Sequence, residues 1–69
     1  MKKFFDYLNE KSIVIVDFEN NACKFLDDND YFIQSAKAEL MRHYNIPSDF
    51  ENDVNMLLAK ILSKKYVFS

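Results

Sequence analysis

Glycine is absent from this chain of 69 residues, and that single absence removes several classes of protein. Tight hairpin loops depend on glycine for positive φ, so an all-β fold is disfavoured before any periodicity is counted. Phosphate cradles need glycine so that backbone amides can approach the anion closely, and the nucleotide-binding loops are therefore missing. Left-handed positions must fall to Asn or Asp, the next most tolerant residues, and Asn9, Asn29 and Asn45 stand where turns are wanted. Cysteine is almost absent too: Cys23 has no second cysteine to pair with, which points to a reducing environment. No uninterrupted apolar run is longer than Ile13–Val16, far below the roughly 20 residues a membrane span needs. Lys2 and Lys3 could open a signal peptide, but Asp6, Asn9, Glu10 and Lys11 interrupt the apolar stretch behind them, so the chain reads as cytoplasmic. Neither sign of charge dominates. The net charge is −2 with acids and bases interspersed, which weighs against a dedicated phosphate-binding surface.

What is present suffices for one small domain spanning residues 1–69. Ordering such a chain costs on the order of 100 kcal/mol, and the apolar area must nearly match it. A composition that is 49% hydrophobic and 16% aromatic meets that demand, because each Phe or Tyr buries about 150–250 Å². Domains of this size without a disulfide or metal sometimes rely on self-association, so a homodimer stays open.

The apolar spacing predicts a mostly α fold, a compact bundle of three to four short helices. Phe4, Tyr7 and Leu8 share a face, giving a first helix near residues 2–10. The β-branched run Ile13–Val16 fits either a short strand, paired with Tyr66–Phe68 as a small two-stranded element, or the start of a helix. With Ser12 as N-cap, Ile15, Phe18, Ala22, Phe25 and Leu26 form a helical stripe; with Asp17 as N-cap the helix starts there, and either way residues 18–26 are helical. Asp27–Asp30 break the pattern, and Asp30 is placed to cap the next helix. Phe32, Ala36, Leu40 and Tyr44 then recur every four residues, and Pro47 ends that helix at Asn45. Ser48 followed by Glu51 reads as a capping box for a last helix carrying Phe50, Val54, Leu57, Leu58, Ile61 and Leu62. The expected core is Phe4, Leu8, Phe18, Phe25, Phe32, Leu40, Phe50, Val54, Leu57 and Ile61.

Chemistry is harder to find. Cys23 and His43 are the only conceivable nucleophile and base, yet Cys23 lies inside an apolar-periodic stretch where a free cysteine behaves as a small hydrophobe, and His43 near a helix end serves the dipole. One His and one Cys cannot close a structural zinc site. Asp27, Asp28 and Asp30 open like a calcium loop but lack its mid-loop glycine and closing glutamate. No catalytic, cofactor or metal site is expected. The two helices around Asn45–Ser48 look like a helix-turn-helix, but Asp49, Glu51 and Asp53 would point three carboxylates at DNA phosphates.

That leaves binding. Asp27, Asp28 and Asp30 beside Tyr31 suit docking onto another, basic protein, while Lys60, Lys64 and Lys65 near Tyr66 and Phe68 are the alternative, a nucleic-acid-binding surface. The segments Phe4–Leu8, Phe18–Ala22 and Asp27–Phe32 resemble small bacterial proteins of the YozE type. The resemblance covers about half the chain and implies a compact helical fold similar to sterile alpha motif domains, without a defined role; the chain departs from it in having Ile33 where a proline would follow Phe32. The expected function is a non-enzymatic protein-interaction module, a regulator or inhibitor whose Asn- and Lys-rich usage suggests a bacterial, phage or mobile-element source.

Overall fold

The computed structural model describes residues 3–66. Four α-helices follow one another: α1 (Phe4–Glu10), α2 (Ile15–Asp28), α3 (Ile33–Tyr44) and α4 (Glu51–Tyr66), the last preceded by a 3₁₀ turn over Ser48–Phe50. Among the described residues there is no strand. Ile13 and Val14 form the extended connection into α2, Ile15 and Val16 are its first turn, and Tyr66 belongs to α4; Val67 and Phe68, the rest of the expected partner strand, lie outside the described residues.

The missing glycines shape how the helices end. At three termini the chain turns back through non-glycine residues with positive φ: Ser12 (58°) after α1, Asp30 (56°) followed by Tyr31 (63°) after α2, and Asn45 (55°) after α3. Each time the next amide bonds back into the last helical turn, Ile13 to the Leu8 carbonyl at 2.9 Å, Tyr31 to Leu26 at 2.6 Å and Ile46 to Met41 at 2.8 Å. The amides of Ser12, Asp30 and Asn45 donate as well, to the carbonyls of Asn9, Asp27 and Arg42 respectively. This is the Schellman closure, in which two orphan carbonyls are satisfied and the following apolar residue folds onto the helix. Ile46 is buried, and Ile13 and Tyr31 pack against the core.

These closures correct several expectations. Asn45 fills its left-handed position as expected, but Asn9 lies within α1, and Asn29 (φ −110°) only precedes the turn. Neither Ser12 nor Asp17 caps α2. Ser12 is committed to closing α1, so the chain passes extended through Val14, which becomes the N-cap without a side-chain bond. Asp30 is committed to closing α2, so it does not cap α3; Phe32 takes that position and is 64% exposed instead of joining the core. The capping box is also unmade. Glu51 reaches the ammonium of Lys37 at 2.8 Å, the one charged side chain buried among the described residues.

Leu8, Phe18, Ala22, Leu26, Ala36, Leu40, Val54 and Leu58 are buried almost completely, and Phe4, Tyr7, Phe25 and Ile46 nearly so. Phe50, Leu57 and Ile61, expected inside, are half-buried at the edge. Aromatic contacts tie the short α1 to the rest, since Phe4 meets Phe18 edge-on at 5.5 Å and Tyr7 lies 4.9 Å from Phe50; Phe18 on α2 in turn lies 5.0 Å from Tyr44 on α3. Seven residues are too few for an independent helix, so α1 exists because this packing holds it. The Tyr7 hydroxyl donates to the Asn45 carbonyl at 3.2 Å, joining α1 to the end of α3. No described helix is long and apolar enough to cross a membrane.

Candidate functional site

The α2–α3 turn carries Asp27, Asp28, Asp30 and Tyr31; the three carboxylates are exposed, and two of them are engaged by side chains of the same chain. The Tyr31 hydroxyl donates to Asp27 Oδ1, and its ring packs against the core. Asp28 pairs with Lys24 one turn earlier at 3.5 Å, both exposed. Asn29 donates to the Phe25 carbonyl at 2.7 Å and to Glu39 Oε1 at 2.9 Å, fastening the turn to α3. Such bonds fix the approach of α2 to α3, and exposed pairs of this kind are worth little beyond local order.

Cys23 and His43 do not form a reaction centre. Cys23 is exposed, which corrects its expected place in the core. Ala22 takes the buried position beside it, and the next residue in sequence is rotated by about 100° around the helix. His43 sits edge-on to Phe25 at 5.5 Å and to Tyr44 at 4.8 Å. Phe25 lies about 200° around α2 from Cys23, so the thiol and the imidazole belong to different faces. No group of three His, Cys, Asp or Glu among the described residues is arranged to hold a metal ion.

Lys60 and Lys64 are exposed and one turn apart on α4, and Lys65 is in the same helix, its side chain outside the described residues. Their surroundings include a feature not anticipated from sequence. A groove of about 570 Å³ runs between the start of α1 and the outer face of α4, lined by Lys3, Phe4, Phe5, Asp53, Met56, Leu57 and Lys60. Phe5 is 53% exposed and Met56 69% exposed, a large apolar area to leave in water in so small a domain.

The cause lies in helical geometry. Adjacent residues diverge by about 100°, so the Phe4–Phe5 pair can place only one ring in the core, and Phe4 takes that place. Likewise Val54 and Leu58 face inward at a spacing of four, which turns Met56 outward. These were the available signals: a doublet of Phe on a helix too short to bury both, and a Met two residues from each buried position. A second, more polar depression is lined by Ser12, Ile13, Val14, Asp17, Asn20, Asn21 and Tyr44. There the Asn21 amide donates to the Tyr44 hydroxyl at 2.6 Å and to the Asp17 carbonyl at 3.1 Å, so its polar lining is partly occupied internally.

Among the described residues the chain forms four helices, with an apolar groove bordered by charge between α1 and α4. No protein-family model matches the chain, and no curated protein or solved structure matches it either.

Proposed function

We propose that this chain is a non-enzymatic protein-interaction module and that it docks through the α1–α4 face. The observation that supports this reading is the pairing of Phe5 and Met56 on the rim of an apolar groove, both more than half exposed. Burying a Phe or Met side chain is worth about 1.5–3 kcal/mol each, so a partner that covers both gains substantially. The acidic turn is the weaker docking surface, because Asp27 and Asp28 already hold intramolecular partners and Tyr31 is packed against the core.

The test is affinity capture from the source cell with the wild type, Met56→Ser and the pair Asp27→Asn/Asp28→Asn, each checked for unchanged helicity. Captured proteins should be lost with Met56→Ser and retained with the acidic-turn pair. Retention by Met56→Ser together with loss in the acidic-turn variant would move the docking site to the α2–α3 turn.

Nucleic-acid binding through Lys60, Lys64 and Lys65 is the second reading, favoured by the exposure of Lys60 and Lys64 on one face of α4. Asp53 in the same groove opposes it. Fluorescence anisotropy with labelled DNA and RNA decides it: affinity falling steeply with salt and with Lys60→Ala would establish this reading, because phosphate contacts release counterions.

A further inference from the structure

We infer that the α1–α4 face is an interface between two copies of this chain, joined through antiparallel α4 helices about a two-fold axis beside Met56 and Leu57. This rests on the reading of that face as a docking surface and names its occupant. A two-fold interface presents the same patch twice, so it must be self-complementary, and the outer stripe of α4 has that property. Asp53, Met56, Leu57, Lys60 and Lys64 lie within one helical face of about 100°. The acid stands toward the N-terminal end, the apolar pair in the middle and the bases toward the C-terminal end.

Turn a second α4 antiparallel about the Met56–Leu57 midpoint and Asp53 of each copy comes opposite Lys60 of the other. Asp49, exposed on the preceding 3₁₀ turn, is as many residues from that midpoint as Lys64 and falls toward it across the axis. Four cross-pairs result, with Met56 against Met56 or Leu57 between them and Phe5 covering the flank. A parallel arrangement would set Asp53 against Asp53 and lysine against lysine, so charge selects the antiparallel one. None of Asp49, Asp53, Lys60 and Lys64 forms an ion pair with a described residue of its own chain, which leaves all four for the partner. The acidic turn differs in part, since there Asp28 pairs with Lys24 and Asp27 accepts from the Tyr31 hydroxyl.

The arrangement gives an unusual test. Asp53→Lys alone and Lys60→Asp alone each set like charges across the axis twice, whereas an equimolar mixture of the two variants, or both substitutions in one chain, restores every pair. Sedimentation velocity of the full chain from about 10 µM to about 1 mM covers the range in which a weak interface associates. The wild type should pass from monomer to dimer across that range. Each single variant should dissociate at least about tenfold more easily, and the mixture and the double variant should recover. Circular dichroism verifies that each variant is folded, and Asp49→Lys with Lys64→Asp provides a second, independent set. A wild type monomeric throughout, single variants that associate like the wild type, or a mixture that fails to recover would each overturn the dimer. A monomer that still loses captured proteins on Met56→Ser would remove only the second copy as occupant. A monomer whose captured proteins ignore Met56 would remove the docking face as well.

Discussion

The α2–α3 turn and the α1–α4 face carry comparable amounts of charge, yet they spend it differently. On the turn, Asp28 has Lys24, Asp27 has the Tyr31 hydroxyl, and Asn29 bridges Phe25 to Glu39. On the α4 face, Asp53 and Lys60 stand beside exposed Met56 and Phe5. Side chains that pair with one another on the turn fix the chain's own geometry, whereas the charges around uncovered apolar surface on α4 have no ion pair with a described residue and, under the proposal, are matched by a second copy. Density of acidic residues is therefore a poor guide to a docking site, and the state of their partners a better one.

The largest expected effect separates the two sides of α4. Leu58→Ala removes a fully buried side chain and should cost about 3 kcal/mol, much of the stability of a domain this small, whereas Met56→Ser should change it by no more than about 0.5 kcal/mol in dilute urea titrations. Equal costs would mean that the outer stripe belongs to the core and not to a surface. Next in size is the Asn29 bridge: Asn29→Ala loses two part-buried hydrogen bonds and should cost about 1–2 kcal/mol, read from the urea midpoint. The left-handed closures should respond in the opposite direction. Ser12→Gly and Asp30→Gly relieve positive φ and should stabilise by about 0.5–1 kcal/mol each, the relief exceeding the extra entropy of the unfolded chain. The smallest effect is expected at the exposed pair, where Asp28→Asn should shift stability by less than about 0.5 kcal/mol and leave self-association unchanged.

How far the sequence carries is clearest at the helix ends. The four-residue spacing from Ala36 to Tyr44 and the Val54–Leu58 pair made α3 and α4 legible, because periodic apolar residues over several turns admit one burial pattern. That left-handed positions would need residues other than glycine was legible as well. Which residues would fill them was not, except at Asn45. The choice depends on where the last core side chain of each helix lies, Leu8 for α1 and Leu26 for α2, and the chain must turn four residues later whether that residue is Ser12 or Asp30. From those two misplaced turns followed the wrong caps for α2 and α3 and the wrong side for Phe32. Of the candidate turn residues, Asp27, Asp28 and Tyr31 were found already engaged, and the groove was missed because attention to buried stripes leaves out the residues that such a stripe turns outward.

The central claim, that the Met56 stripe of α4 is a surface made to be covered by a second copy, is tested most directly by isotope-filtered NMR. In an equal mixture of ¹³C-labelled and unlabelled protein near 1 mM, nuclear Overhauser contacts should pass from the Met56 methyl of one copy to Met56, Leu57 or Phe5 of the other. A Met56 methyl signal that is unaffected by dilution and shows no contact between copies would contradict it.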